Sequence, residues 1–177
     1  PTLGGRLDLL LINPSGRNKV YQKLGANLTA VEPPLWCRLI GGYVRDQGYS
    51  VEILDCEAEN LDVDDVAERV TTIAPRLVGM IVFGHQPSAS TQQMVGAGDA
   101  CRAIKDKAGE IPIIMVGGHV SALPERTLSE EPIDFACKGE GPATVAQLLN
   151  TLKSGETKDF SAVEGLVWLR DGAVVVN

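Results

Sequence analysis

The sequence has few aromatic residues, fewer basic than acidic residues and no long apolar run. Aromatic residues make up 5% of its 177 positions and hydrophobic residues 44%, so we expect a sizeable core of aliphatic side chains. No apolar run approaches the ~20 residues that a membrane-spanning helix requires. The 16 Lys and Arg against 23 Asp and Glu give a net charge of −7, which disfavours binding to the phosphate backbone of a nucleic acid. Residues 1–6 lack the basic and apolar segments of a secretion signal, which predicts a cytoplasmic protein.

Several familiar binding motifs are also absent. The four cysteines have neither CxxC nor CxxxCxxC spacing, so we expect reduced thiols and no zinc or iron–sulfur site in this chain. There is no GxxxxGKS/T loop and no GxGxxG after the first strand, which excludes a P-loop and a dinucleotide fingerprint. A phospho-acceptor receiver would have an aspartate where the third apolar run ends in Phe83. A flavodoxin would have more hydroxyl residues in the first loop than Ser15.

Five short apolar runs alternate with amphipathic segments along the chain. The runs are rich in aliphatic residues and lie at 7–12, 51–54, 77–83, 111–116 and 133–137. Runs of this length predict strands, and the first, third and fourth are apolar nearly throughout, as in parallel strands buried on both faces. The alternation predicts an α/β fold, a flavodoxin-like doubly wound five-stranded parallel sheet with strand order 2-1-3-4-5.

Local signals predict where helices begin and where the chain forms a hairpin. Pro33-Pro34 precedes the first helix, Asp62 can cap the second, and Pro142 opens the last. The connection at 123–128 is long enough for only a short helix. Asp171-Gly172 separates two apolar segments, which predicts a C-terminal β-hairpin with strands at 165–170 and 173–176.

The loops that follow the predicted strands are the place to look for a ligand site. Doubly wound sheets bind ligands beyond the carboxyl ends of their strands, where the strand order reverses. Four of these five loops combine glycine with side chains that form hydrogen bonds. Glycine lets the backbone approach a bulky ligand closely, although glycines can also do no more than shape tight turns. The candidate cofactor-binding residues, none with a catalytic or metal-binding role, are Asn13, Pro14, Ser15, Gly84, His85, Gln86, Ser88, Gly117, Gly118, His119, Gly139, Glu140 and Gly141.

Several short motifs are informative when their order and spacing are taken together. They are Leu-Ile-Asn-Pro at 11–14, Pro33-Pro34-Leu35, the segment 48–55, Gly117-Gly118-His119, Pro124-Glu125, Asp134 and Gly139-Glu140-Gly141. This series resembles the N-terminal cobalamin-binding domain of cobalamin-dependent radical S-adenosylmethionine (SAM) enzymes over nearly the whole chain. One departure is Pro142, which stands where the GEGE motif of that family has its second glutamate.

The resemblance implies that cobalamin lies over the carboxyl ends of the strands, with its nucleotide tail threaded into the domain. Gly117 and Gly118 would leave room for the tail beside the fourth strand, and Ser88 or Ser90 would bind it beside the third. Residues 139–141 would line the other side. The first loop has no histidine, whereas methionine-synthase-like domains use one there to ligate cobalt. The resemblance therefore implies base-off cobalamin without that ligand.

The same resemblance implies that the reaction is completed outside this sequence. Residues 1–160 would form the cobalamin-binding domain, and the hairpin at 161–177 would lead to a C-terminal radical SAM domain. That domain would hold a [4Fe-4S] cluster and SAM, so this chain alone would be a binding module of a methyltransferase or a tetrapyrrole cyclase-like enzyme. Three alternatives stay open here: a non-catalytic cobalamin sensor, a flavodoxin-like domain for a flavin or nucleotide, and an interaction module without a ligand.

Overall fold

A computed structural model describes residues 5–15, 33–84, 87–155 and 159–177, without the side chains of residues 87 and 88. Seven strands in this part of the chain form one sheet in the order β2-β1-β3-β4-β5-β6-β7. The strands are β1 (Leu9–Asn13), β2 (Val51–Asp55), β3 (Leu77–Val82), β4 (Ile113–Gly117), β5 (Phe135–Cys137), β6 (Leu166–Arg170) and β7 (Ala173–Val176). The first five are parallel in the order 2-1-3-4-5, which confirms the predicted flavodoxin-like sheet.

Helices cover both faces of the sheet. Those in the described residues are α1 (Leu35–Asp46), α2 (Val63–Ile73), α3 (Pro87–Ala108), α4 (Gly118–Ala122), α5 (Pro124–Glu130) and α6 (Pro142–Ser154). Apolar side chains of α2 to α5 are buried against one face, and those of α1 and α6 against the other. Strands β1, β3 and β4 are therefore covered on both sides, which explains their nearly continuous aliphatic sequence. None of these helices is both long and apolar enough to cross a membrane.

Local sequence determines where two of the helices begin. The Asp62 carboxylate accepts hydrogen bonds from the amides of Asp64 (3.0 Å) and Asp65 (2.9 Å). The Asp65 carboxylate in turn accepts one from the Asp62 amide (3.1 Å), which completes a capping box at the start of α2. The connection after β4 contains two helices, α4 and α5, where the sequence predicts one short helix. Pro124 ends the first and opens the second, because proline fits the first turn of a helix.

The C-terminal hairpin extends the same sheet. Strand β6 pairs antiparallel with β5, and Asp171 (φ 51°) and Gly172 (φ 82°) form the predicted two-residue turn to β7. One face of the hairpin leaves three apolar side chains exposed, those of Leu169, Val174 and Val176.

Asp8 holds together three strands at their amino ends. Its carboxylate accepts hydrogen bonds from the amide and the hydroxyl of Ser50 (both 3.0 Å) and from Nε of Arg76 (3.3 Å). Burial raises the pKa of Asp8, but the hydrogen bonds from Ser50 and Arg76 lower it more, so the pKa lies below its ordinary value. Because Asp8, Ser50 and Arg76 immediately precede β1, β2 and β3, these bonds fix the amino end of the sheet.

Asp134, one of the motif residues, makes a similar link between β4 and β5. Its Oδ2 atom accepts hydrogen bonds from Nζ of Lys105 (2.7 Å) and from the amide of Ile113 (2.7 Å). The same Nζ donates to the carbonyl oxygens of Gly109 (3.2 Å) and Ile111 (3.0 Å). Asp134 therefore has a structural role, at the end of the sheet opposite the expected ligand site.

Candidate functional site

A cavity of about 420 Å³ lies at the carboxyl ends of β1 and β3. The strand order reverses between these two strands, so the cavity is where doubly wound sheets bind their ligands. Its walls come from both strands, from α1 and α3, and from the segments next to them. The lining residues are Asn13, Pro33, Pro34, Leu35, Trp36, Cys37, Glu57, Ile81, Phe83, Gly84 and Gln93.

Part of the cavity wall is flat and apolar. The ring of Trp36 stacks on the ring of Phe83, with centroids 4.1 Å apart and an angle of 16° between the planes. Trp36 lies in the first turn of α1, shortly after Pro33-Pro34, and Phe83 directly follows β3. Two stacked rings present a wide apolar surface, which suits a bulky ligand.

Two amide side chains line the cavity and differ in their hydrogen bonds. Nδ2 of Asn13 donates to Oδ1 of Asp55 (2.9 Å), so Asn13 links the ends of β1 and β2. Oε1 of Gln93, on α3, is buried and accepts no hydrogen bond from any described residue. A buried amide oxygen without a donor costs free energy, so it marks a position at which a ligand can supply the donor.

The thiol that lines the cavity is unreactive. Cys37 is 1% exposed, and burial, reinforced by the charge of Asp55, raises its pKa to about 12. The thiol is therefore protonated near neutral pH and is a poor nucleophile and a poor metal ligand. Among the residues that the structure describes, no group of three or more His, Cys, Asp or Glu side chains is arranged to hold a metal ion.

The two glycines at the end of β4 have different surroundings. A Cβ atom at Gly117 would lie 2.2 Å from the carbonyl oxygen of Val82, so β3 and β4 can approach each other only with glycine here. Gly118 is exposed, and a Cβ atom there would contact only Ser90, at an ordinary distance of 3.7 Å. The packing of β3 against β4 therefore requires glycine at position 117, whereas Gly118 borders open space.

Hydrogen bonds of Ser90 fix the start of α4 to the end of β3. The Ser90 hydroxyl donates to the carbonyl of Val82 and accepts from the amide of His119 (3.0 Å). Ser90 is 2% exposed, so this hydroxyl is sequestered within the fold. Nδ1 of the half-buried His119 ring lies 3.0 Å from the hydroxyl oxygen of Thr91. The His119 ring is therefore held against the first turns of α3.

The Gly139-Glu140-Gly141 segment connects β5 to α6. The amide of Gly139 donates to Oγ of Ser121 (2.9 Å), and Glu140 is exposed. A Cβ atom at Gly141 (φ 101°) would come within 2.6 Å of Cγ1 of Val116, so a larger residue there would collide with β4. This turn brings the start of α6 close to the carboxyl end of the sheet.

The predicted site residues thus fall into separate groups along the carboxyl edge. Asn13 and Gly84 line the cavity, and the buried Pro14 and half-buried Ser15 follow β1 directly. Six others lie at the ends of β4 and β5, namely Gly117, Gly118, His119, Gly139, Glu140 and Gly141. The remaining predictions, His85, Gln86 and the side chain of Ser88, lie outside the described residues.

Sequence reasoning does not identify most of the cavity wall. Trp36, Phe83 and Gln93 are absent from the candidate list, although each lies near the carboxyl end of a predicted strand or the start of the next helix. The Pro33-Pro34 pair is a usable signal, because a helix that begins there brings its first turn, with Trp36, to this edge. Nothing comparable points to Gln93, since glutamine is common on exposed helix surfaces.

A family model and several known proteins match this chain. A family model described as the B12 binding domain matches residues 21–149. The anaerobic magnesium-protoporphyrin IX monomethyl ester cyclase of Synechocystis sp. is 31% identical over 174 residues, which are 96% of this chain and 32% of that protein. An uncharacterized methyltransferase of Pyrococcus horikoshii is 28% identical over 169 residues, 95% of this chain and 34% of that protein. The chain spans about a third of the length of these relatives.

Solved structures show the same fold. The radical SAM methyltransferase TsrM of Kitasatospora setae, with cobalamin and a [4Fe-4S] cluster bound, has a TM-score of 0.71 at 21% identity, over 97% of this chain and 28% of that one. The cobalamin-dependent SAM radical enzyme OxsB, with aqua-cobalamin and SAM bound, has a TM-score of 0.66 at 20% identity, over 97% and 22%. These matches confirm the resemblance. Because the family model covers more than half of the sequence, the chain belongs to the B12-binding domain family, whose cofactor is cobalamin.

Proposed function

We propose that this chain holds base-off cobalamin at the carboxyl ends of its strands and presents it to the radical SAM domain of a longer enzyme. The observation that carries the proposal is the cavity at the strand reversal, in a chain of the B12-binding family. The length of the relatives supports the second half of the proposal, since this chain matches about a third of each. Similar structures contain a [4Fe-4S] cluster or SAM together with cobalamin.

The residues of the cavity fit the chemistry of cobalamin. Cobalamin is large and carries many amide groups, so a protein binds it by shape and by neutral hydrogen-bonding groups. The Trp36–Phe83 stack offers apolar surface, and Asn13 and Gln93 offer amide groups. A cavity of about 420 Å³ takes part of such a ligand, and Gly118 leaves open space for another part at the end of β4.

Different strand ends would hold different parts of the cofactor. The cavity edge around Asn13, Trp36 and Gly84 would hold the corrin, whereas Gly118 and Gly139 would border the nucleotide tail. When bound, cobalamin supplies a cobalt atom that carries a methyl group or assists a radical step. The residues of this chain bind and orient it.

The base-off state follows from the resemblance to cobalamin-dependent radical SAM enzymes, and it is proposed without the histidine ligand of methionine-synthase-like domains. The sequence contains two histidines, His85 and His119, and neither lies in the loop after β1. Nδ1 of His119 lies within hydrogen-bond distance of the Thr91 hydroxyl, which gives the ring a partner within the protein.

The complete enzyme would be a methyltransferase or a tetrapyrrole cyclase-like enzyme, because relatives of both kinds match this chain. The hairpin at 161–177 would lead from the cobalamin domain, residues 1–160, to the radical SAM domain. Its exposed apolar face, formed by Leu169, Val174 and Val176, supports a contact with further protein there.

A visible-absorption titration of the purified protein with hydroxocobalamin tests the proposal. We expect saturable binding with a base-off spectrum. Gly118→Val should weaken binding by about tenfold or more, because the added side chain enters the ligand space while contacting only Ser90. Gly42→Ala, which adds a methyl group in open space on α1, is the matched control and should bind as the wild type does. The proposal is wrong if neither this chain nor a longer protein that contains it changes the cobalamin spectrum.

A further inference from the structure

Gln93 is a cavity residue that the fold buries without satisfying its hydrogen bonding. The residue lines the cavity, and its Oε1 atom is buried in the ligand-free protein with no donor within the described residues. Two other polar side chains at this edge have partners: Asn13 donates to Asp55, and the Ser90 hydroxyl both donates and accepts. Among the described residues that line the cavity, Gln93 is the one whose buried side-chain oxygen has no partner.

An unsatisfied amide at this position destabilises the ligand-free protein. Leucine has a similar size and would fill the same space without an unpaired acceptor. The free energy lost by burying the unpaired oxygen of Gln93 is regained when a ligand brings an N–H group into the cavity. A hydrogen bond in an enclosed site is stronger than one in water. The position therefore favours a ligand with a donor over the empty state.

We infer that Oε1 of Gln93 accepts a hydrogen bond from a side-chain amide of the corrin ring and makes the site selective for that amide over a carboxylate. This inference rests on the proposed function, because it places cobalamin in this cavity. A carboxylate at the same place would bring no N–H group to Oε1. It would also add negative charge to a cavity that already contains Glu57, in a chain with a net charge of −7.

The first test compares two kinds of ligand on two proteins, wild type and Gln93→Leu, and measures each Kd by absorption titration. One ligand is hydroxocobalamin. The others are its monocarboxylates, derivatives in which one peripheral amide of the corrin ring is replaced by a carboxylate. Gln93→Leu should raise the Kd for hydroxocobalamin about 5- to 50-fold. One of the monocarboxylates should bind to wild type more weakly than hydroxocobalamin does, by a similar factor. This difference should be several times smaller in Gln93→Leu, where only the negative charge around Glu57 still disfavours the carboxylate. Gln92→Leu, the same change at the exposed neighbouring position, should alter neither Kd.

Two further measurements separate a binding role from a structural one. The Tm of ligand-free Gln93→Leu should equal or exceed that of wild type, because the variant removes an unsatisfied buried acceptor. Gln93→Glu keeps an acceptor at this position and loses the amide donor. It should therefore bind hydroxocobalamin more tightly than Gln93→Leu does.

The outcomes distinguish this inference from the proposed function. If wild type does not bind hydroxocobalamin, the proposed function fails. If wild type binds and Gln93→Leu binds equally well, the inference alone is overturned. A lower Tm of ligand-free Gln93→Leu, or a Gln93→Glu variant that binds no better than Gln93→Leu, also overturns it.

Discussion

At the amino ends of the strands the carboxylates of Asp8 and Asp134 are paired within the chain, whereas at the carboxyl ends the buried Oε1 atom of Gln93 has no partner among the described residues. Asp8 accepts three hydrogen bonds from two neighbouring strand starts, and Asp134 accepts two. At the opposite end lie a cavity of about 420 Å³ and the unsatisfied Oε1 atom of Gln93. The paired carboxylates of Asp8 and Asp134 and the unpaired oxygen of Gln93 thus lie at opposite ends of the strands.

The direction of parallel strands explains this separation. Every strand-to-helix loop emerges at the carboxyl edge, and α1 and α3 leave neighbouring strands for opposite faces of the sheet. A crevice opens between two such helices whatever their sequence. The residues around it need only keep it open and supply contacts, whereas residues at the amino edge can pair with one another.

The largest change in the free energy of unfolding is expected at Gly117, at the carboxyl end of β4. Gly117→Val places a side chain against the Val82 carbonyl, where a Cβ atom alone would lie at 2.2 Å. We expect the free energy of unfolding to fall by about 3 kcal/mol or more. Urea denaturation followed by circular dichroism measures it.

Gly118→Val is the matched control for this prediction. Its Cβ atom meets only Ser90 at 3.7 Å, so the free energy of unfolding should change by less than about 0.5 kcal/mol. If both variants lost similar stability, the assignment of Gly117 to the fold and of Gly118 to the ligand space would be wrong.

Gly117 also shows why the fold could be predicted further than the site. Apolar runs such as 77–83 and a cap such as Asp62 are local signals, and they are sufficient to identify strands, helix starts and the alternation of the two. The need for glycine at Gly117 depends on Val82, which is distant in sequence. The importance of Gln93 depends on a hydrogen bond that is not made, and no sequence pattern records an absent partner.

The next largest effect is expected at the amino end of the sheet. Asp8→Ala removes the acceptor of the Ser50 amide, the Ser50 hydroxyl and Arg76 Nε. We expect the free energy of unfolding at pH 7 to fall by about 2 kcal/mol, since buried donors are left unpaired. The Kd for hydroxocobalamin should stay within about twofold, because Asp8 lies at the far end of the strands. A loss of cobalamin binding without a loss of stability would contradict the proposed separation.

The charge of Asp8 should add a pH dependence to that stability. Its pKa in the folded protein lies below the ordinary value of 3.8, so the folded state favours the ionised form. The ionised Asp8 carboxylate therefore stabilises the folded protein fully at pH values above the unfolded pKa. This stabilisation is lost as the pH falls through the lower pKa of the folded state. The difference in unfolding free energy between wild type and Asp8→Asn should be constant from about pH 5 to 7 and shrink below about pH 4. A difference that grew on acidification would contradict this sign.

A smaller effect on stability, with a larger one on binding, is expected at the aromatic wall of the cavity. Trp36→Leu removes the stack on Phe83, whose centroid lies 4.1 Å away, but keeps an apolar side chain. We expect a loss of about 1 kcal/mol in unfolding free energy and a rise of about tenfold in the Kd for hydroxocobalamin. Urea denaturation measures the unfolding free energy, and absorption titration of the same preparation measures the Kd. A variant that loses stability but binds normally would remove Trp36 from the ligand site.

The smallest effect is expected from the thiols, because all four are buried in the fold. All four cysteines are free and buried, and burial raises the pKa of Cys37 and of Cys56 to about 12. At pH 8 only about one in ten thousand of such thiols is ionised. A thiol-specific disulfide reagent should therefore leave the native protein nearly unlabelled over minutes and label four thiols in denaturant. Rapid labelling of Cys37 in the native protein would show that the cavity admits reagents to a reactive thiol, and the carboxyl end would then differ from the amino end in chemistry as well as in hydrogen bonding.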